Sequence, residues 1–410
     1  MRLLFTVWGG MHGERSPYED LFVAGAELAC RQHAESLAAF GHEVVFACFG
    51  PRERDERVRG VRLLQRRHPL AGQAVGGEAF WRRHFEAIFD ASVAWTADVV
   101  RREGIDAIYT RVLWPTGVIG YRVQELTGVP CAATVDDKVF VEQLLDGPNR
   151  LPEAVRSRWA AAMTATCEGI GRLILLARHL EQEVRRFTAS PAPWEVIPSG
   201  VEPERFANVE PVDWRARFGL PRRRLLLMCA ARLDWPKRQD LLIEAVSNLV
   251  AEGKDVGLIL LGAGSRQDSL RRLAAGRGVG ERVHFLGYQP NDVVPAALLG
   301  ADVICAPTEW EAFPIQMLEA LATGKPMVAS AAPPYDEVLA GQDCIPVCPN
   351  EAAVWTAALR WAIGEGRRAE VDARRRAFVR ERLQDYTQEA TSRAIEAVLA
   401  EMAAAVRIGS

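Results

Sequence analysis

Val303-Ile304-Cys305-Ala306, then Pro307-Thr308-Glu309-Trp310, then Glu311-Ala312-Phe313-Pro314-Ile315-Gln316-Met317-Leu318-Glu319 read in order as a strand, a loop and a helix opened by Pro314. Glu311 falls in the loop and Glu319 about two turns further on, inside the helix. Backbone N–H groups at such a helix start attract anions, and Phe313, Pro314 and Ile315 frame it. A carboxylate only accepts hydrogen bonds and so suits paired sugar hydroxyls. Together these groups suit a ligand that is part phosphate and part sugar. The alternative reading is that both glutamates are ordinary solvated residues near a helix end.

Upstream, Leu225-Leu226-Leu227-Met228-Cys229-Ala230 has the continuous apolar character of a buried strand. It runs into Ala231-Arg232-Leu233-Asp234-Trp235-Pro236-Lys237 and then a helix with apolar residues at Leu241, Leu242, Ala245, Val246 and Leu249. Arg232 and Lys237 therefore flank a strand-to-helix turn. Ligands of open parallel sheets sit outside the carboxyl ends of the strands, where two cations suit a diphosphate. Plain solvation of both cations is the competing reading.

The same alternation extends along the whole chain. Strands are expected at Leu3 to Val7, Val44 to Ala47, Ala107 to Tyr109, Cys131 to Val135 and Leu173 to Leu176, and again at Leu225 to Ala230, Leu258 to Leu261, Val283 to Leu286, Val303 to Ala306 and Met327 to Ala329. Helices fall between them, which is the pattern of parallel sheets. The Pro-rich join Ser190-Pro191-Ala192-Pro193 and Pro198-Ser199-Gly200 separates two similar halves. The class is α/β, with two Rossmann-like doubly wound domains facing each other across a cleft. Pro51-Arg-Glu-Arg-Asp-Glu-Arg-Val-Arg59 alternates charge sign and reads as a solvated loop.

Arg232 through Lys237, Gly262-Ala-Gly264, Val283-His284-Phe285-Leu286-Gly287-Tyr288 and Glu311 through Gly324-Lys325-Pro326 resemble, in this order, the carboxyl-terminal half of the retaining GT-B glycosyltransferases of family 4, the group 1 type. Val196-Ile197-Pro198-Ser199-Gly200-Val201 with Phe206 resembles the interdomain hinge of that family, in which Asn is more usual at the position of Ser199. The amino-terminal half matches only in outline. The resemblance implies an acceptor-side domain over 1–190, a hinge over 191–206 and a nucleotide-sugar donor domain over 207–384, with a last helix at about 385–410 packing back on the first domain. Within the helical tail from Gly366 to Ala405, Phe378, Leu383, Tyr386, Ala390 and Ala394 form an apolar stripe suited to docking.

The resemblance also implies a reaction: a sugar passes from a nucleotide diphosphate sugar to a hydroxyl acceptor with retention of configuration. Electrostatic stabilisation of the leaving diphosphate is the largest available help. Arg232 and Lys237 would supply it, Glu311 would hold the sugar hydroxyls and Glu319 the ribose. Backbone at Gly264, Gly287 and Tyr288 would meet the donor, as would Gly10 in the first loop, Trp8-Gly9-Gly10-Met11-His12-Gly13. Many family members carry a histidine just after the strand Cys131 to Val135; here Asp136 stands there. Asp136 either binds a donor-sugar hydroxyl near the reacting centre or, with Asp137, caps the next helix. Arg111 either meets an acidic acceptor or phosphate, or pairs with Asp136 or Asp137. No cofactor or metal is expected, and no D-x-D-type metal motif is evident in a suitable loop. Two other functions stay open: another GT-B enzyme, an epimerase or inverting transferase, and a non-catalytic nucleotide-sugar-binding partner subunit.

Composition narrows the field further. A chain of 410 residues exceeds one ordinary core. Net charge −3 and a pI near 6.2 give no general attraction to nucleic acid. No run approaches the roughly 20 apolar residues of a membrane span, and Met1 to Val7 is too short for a signal peptide, so a cytoplasmic protein is expected. Aromatics from Ala79 to Trp95 and in Val112-Leu113-Trp114-Pro115 leave open a hydrophobic acceptor or peripheral membrane contact, or else core or oligomer packing. Eight cysteines without framework spacing read as buried thiols, and Cys344 and Cys348 lack a second ligand pair for zinc. Neither glycine-rich turn fits G-x-G-x-x-G, which weakens a nicotinamide reading.

Overall fold

The computed structural model describes residues 1–7, 25–50, 52–67, 78–136 and 153–409. The chain forms two compact units, Met1–Gly200 with Gln388–Ser410, and Val201–Thr387. The first contains β1 (Arg2–Val7), α1 (Gly25–Ala39), β2 (Glu43–Gly50), β3 (Arg54–Val58), β4 (Val61–Arg67), α2 (Glu78–Glu103), β5 (Ala107–Arg111), α3 (Val118–Thr127), β6 (Cys131–Val135), α4 (Glu153–Gly169), β7 (Arg172–Leu175), α5 (Glu181–Arg185) and β8 (Trp194–Val196). The second contains α6 (Trp214–Phe218), β9 (Leu225–Ala230), α7 (Gln239–Ala251), β10 (Val256–Leu261), α8 (Gln267–Gly276), β11 (Val283–Gly287), α9 (Val294–Leu299), β12 (Val303–Ala306), α10 (Ile315–Ala322), β13 (Met327–Ser330), α11 (Tyr335–Val338), β14 (Val347–Cys348), α12 (Ala352–Ile363) and α13 (Ala369–Arg382). The final helix, α14 (Gln388–Gly409), returns to the first unit.

In the second unit the strand order is β11-β10-β9-β12-β13-β14, all parallel. Side chains alternate between the faces of a strand, so each central strand feeds two cores. Leu226 and Met228 of β9 join Ile304 of β12 and Met327 of β13 on one face, under Met317, Leu318, Ala320 and Leu321 of α10. Leu227 and Cys229 join Val303, Cys305 and Val328 on the other, under Leu241, Leu242, Ala245, Val246 and Leu249 of α7. Burial on both faces is why these strands read as unbroken apolar runs.

The first unit orders its strands β3-β4-β2-β1-β5-β6-β7-β8, parallel except for the β3–β4 pair. Leu3 and Phe5 of β1 pack with Cys30, Ala34 and Leu37 of α1 and with Ile395, Val398, Leu399 and Met402 of α14. The charged run expected to be a loop is, over Arg54–Val58, an antiparallel edge strand. Its middle residues are exposed, and charge on an edge strand discourages pairing with other chains. The helical tail is not one continuous helix. It breaks after the turn Leu383–Tyr386, where Thr387 is extended (φ −73°, ψ 149°). Phe378, Leu383 and Tyr386 then pack in the second unit and Ala394 in the first, so the stripe is shared.

All eight cysteines are buried free thiols. Among the described residues no helix is long and apolar enough to cross a membrane.

Candidate functional site

The polar residues singled out in the second unit gather at the carboxyl ends of β9 to β12. After β9 the backbone is pinned to neighbouring turns: Ala231 N donates to Leu261 O at 2.9 Å and Leu233 N to Ala263 O at 3.0 Å. The Asp234 carboxylate accepts from Ser265 N and Ser265 Oγ, both at 2.6 Å. Arg232 projects into solvent with its side chain 71% exposed, 3.3 Å from Asp234. Lys237 is buried, and its ammonium pairs with Glu311 Oε1 and reaches Gln316 Oε1 at 3.2 Å. Gln316 Nε2 returns a hydrogen bond to Glu311 Oε1 at 2.9 Å. Lys237, Glu311 and Gln316 thus form one closed set across the ends of β9 and β12, joined by Tyr335, whose hydroxyl lies 3.5 Å from Gln316.

Helix α10 begins one residue later than expected. Pro314 has non-helical ψ (73°) and acts as the residue before the first turn, its carbonyl accepting from Met317 N at 2.9 Å. The Ile315 N–H is drawn back to Phe313 O at 3.2 Å. The Phe313 ring packs against the core and stacks on Tyr386 with centroids 5.8 Å apart. Glu319 follows inside α10, nearly buried, with Arg205 Nη1 3.9 Å from its carboxylate. Burial pushes this carboxylate up to about 7, against the opposing pull of Arg205.

Two glycine turns complete this end of the sheet. A Cβ on Gly264 would lie 2.5 Å from the Leu233 carbonyl carbon and oxygen, so only glycine lets the two turns approach. Gly287 sits at φ +68°, and its carbonyl accepts from Gly262 N at 2.9 Å. The exposed Tyr288 follows it. Trp235, 59% exposed between Arg232 and Lys237, has the Arg238 and Arg266 guanidinium groups 5.5 and 5.9 Å from its ring centre.

In the first unit, Arg111 ends β5 and Asp136 follows β6. Arg111 Nε donates to Asp136 Oδ2 at 2.8 Å, with side chains 3% and 5% exposed. Arg111 Nη2 donates to Ser199 Oγ at 2.8 Å. Asp136 Oδ1 is buried without a hydrogen-bond partner among the described residues. Burial raises the Asp136 pKa and Arg111 opposes the rise. Of the two readings left open for Arg111, pairing with Asp136 is the one observed. Gly10 and Asp137 lie outside the described residues.

Sequence reasoning missed Gln316, Arg205 and Ser265. Gln316 sits inside the 311–319 segment, but its role depends on Lys237, which is distant in sequence. Nothing in its own neighbourhood signals it.

Residues 212–377 match the family model for glycosyl transferases group 1, and residues 24–200 match that for a glycosyl transferase 4-like domain. The chain belongs to the glycosyl transferases group 1 family. Its relatives include the D-inositol 3-phosphate glycosyltransferase of Salinispora tropica, 30% identical over an alignment of 261 residues, with 58% of this chain and 53% of the relative covered. The match therefore spans about half of that relative's length. Among solved structures, sucrose-phosphate synthase from Thermosynechococcus elongatus superposes with a TM-score of 0.78 at 20% identity, covering 99% of this chain and 100% of the other. Anabaena HepE in complex with UDP-glucose gives a TM-score of 0.70 at 18% identity, covering 98% and 100%. These likenesses are of fold, and the fold of this family member is GT-B, two Rossmann-like doubly wound parallel-sheet domains.

Proposed function

We propose that this chain is a glycosyltransferase that moves a sugar from a nucleotide diphosphate sugar to a hydroxyl acceptor, with retention of anomeric configuration. One observation carries the reading: Lys237, Glu311 and Gln316 close on one another at the carboxyl ends of β9 and β12 in the second sheet, whose neighbouring turns are those at Gly262–Gly264 and Gly287. That end of an open parallel sheet is where ligands bind. HepE, with the same fold, has been crystallised with UDP-glucose.

In this reading Lys237 and Arg232 neutralise the diphosphate that departs. Fixed positive charge at a developing phosphate anion contributes most when it is held in place beforehand, and Lys237 is so held by Glu311 and Gln316. Arg232, long and exposed, closes on the ligand from solvent. Glu311 accepts from donor-sugar hydroxyls, Glu319 from the ribose diol, and backbone at Gly264, Gly287, Tyr288 and Ile315 lines the rest. The departing phosphate oxygen takes the acceptor proton on the same face, so the reaction requires no separate protein base. The acceptor is a hydroxyl of a glycolipid, polysaccharide or small aglycone, and the protein acts in the cytoplasm.

The test is release of nucleoside diphosphate when the purified chain meets a donor and an acceptor, with the product anomer read by NMR. Glu319→Ala is expected to weaken donor binding at least tenfold, about 1.4 kcal/mol. Unchanged donor affinity in that variant contradicts the ribose assignment.

A further inference from the structure

Glu319 is a carboxylate with little of its own support. Its side chain is 13% exposed, and no described residue donates a hydrogen bond to it. The 3.9 Å to Arg205 Nη1 is too long for a hydrogen bond. Arg205 is kept at this distance by its other contacts: Nη2 donates to Asn291 O at 2.5 Å, and Nε lies 4.0 Å from the Glu202 carboxylate.

The surroundings leave Arg205 as the cation that matters. The elements packed most closely on α10 are β12 and the turns Pro203–Phe206 and Leu383–Tyr386. Strand β12 carries no charge; the first turn brings Glu204 and Arg205, with Glu202 just before it; the second brings Asp385 and Tyr386, with Arg382 before it. Lys237 and Glu311 are engaged with one another. Among all of these, Arg205 is the group whose charge acts on Glu319.

An ionised carboxylate accepts two hydroxyl hydrogens, whereas a protonated carboxyl donates and accepts less. A nearly buried carboxylate without hydrogen bonds lies close to the balance between these forms, and burial indeed brings Glu319 to about 7. A guanidinium is a permanent cation. We propose that Arg205 is the positioning residue for Glu319, and that together they make a receptor for the vicinal ribose hydroxyls that binds a nucleotide sugar only when Glu319 has lost its proton. This rests on the donor reading above and adds to it a residue and a pH dependence.

The experiment uses the full chain with UDP-glucose, GDP-mannose and ADP-glucose, whose diphosphate diesters do not titrate near neutrality. The best binder is followed calorimetrically at a series of pH values. Affinity is expected to be roughly tenfold higher near pH 8 than near pH 6, because only the ionised form of a group titrating about 7 binds. Arg205→Gln moves the midpoint to higher pH, so binding is lost near pH 7 and recovered at alkaline pH, a recovery that a merely structural role does not give. Arg205→Lys keeps most of the affinity, and Glu319→Gln binds weakly with a flat profile. If Arg205→Gln does not fold, the wild-type profile and Arg205→Lys decide. A flat wild-type profile, or a loss in Arg205→Gln that alkali does not restore, overturns the inference while leaving the donor reading intact. No binding of any probe at any pH overturns both.

Discussion

Asp136 and Ser199 are the two positions where this chain departs from the pattern it otherwise resembles, and both meet on one guanidinium. Arg111 holds Asp136 at 2.8 Å and Ser199 at 2.8 Å, all three side chains being buried. Breaking a buried pair by neutralising one partner leaves the other charge stranded, at a cost of about 3–5 kcal/mol. Asp136→Asn is therefore expected to lower the melting temperature and, under conditions where it remains folded, to cut sugar-transfer turnover about tenfold or more while nucleotide binding persists. Turnover equal to the wild type in the folded variant rules out the charged role for Asp136. The acid was visible in the sequence as an unusual residue after an apolar strand. Arg111 was legible as one candidate partner, but the sequence left that pairing beside a ligand role, and it is the β5–β6 pairing that brings the two strand ends together. The same holds for Lys237 and Glu311, each recognisable as a charged residue in a strand-to-helix turn, but assigned to one another only by the β9–β12 pairing.

Helix α14 shows what an apolar period records and what it does not. The apolar period continues through the tail, yet the extended Thr387 splits it, since a 3.6-residue period does not record which core each turn faces. A buried polar contact ties α14 to α1: His33 Nδ1 lies 2.9 Å from Ser392 Oγ and 3.0 Å from Gln388 Nε2. The amide of Gln388 donates, so the imidazole is neutral with Nδ1 as acceptor. Burial, with Arg111 adding to it, holds the His33 pKa down at about 3. Between about 3 and the ordinary value near 6.5 the unfolded chain binds a proton that the folded chain refuses, so stability falls as pH falls through that window. In urea titrations His33→Gln is expected to lose this component, a difference from wild type of about 1.4 kcal/mol per pH unit across the window. Parallel pH profiles for the two proteins refute the assignment. The edge strand β3 was missed for a related reason: exposed charge on an edge carries no apolar signature.

Two compact units with separate cores make a single two-state transition a poor description of the whole molecule. A nucleoside diphosphate that binds the second unit stabilises it by mass action, about 2.7 kcal/mol at a hundredfold excess over Kd. A thermal-shift panel of uridine, guanosine, adenosine and thymidine diphosphates is accordingly expected to raise the transition of the second unit with one base more than with the others, and no shift with any of them counts against the donor site. By itself the sequence determined the α/β class and the doubly wound character, because strands buried on both faces must be apolar throughout and helices between them must carry one apolar stripe. The tertiary structure alone decided the strand order β11-β10-β9-β12-β13-β14 and with it which charges touch: Lys237 with Glu311 and Gln316, Arg205 facing Glu319, Arg111 with Asp136 and Ser199. Those contacts cross between elements distant along the chain, where periodicity is silent and only the pairing of strands sets distance.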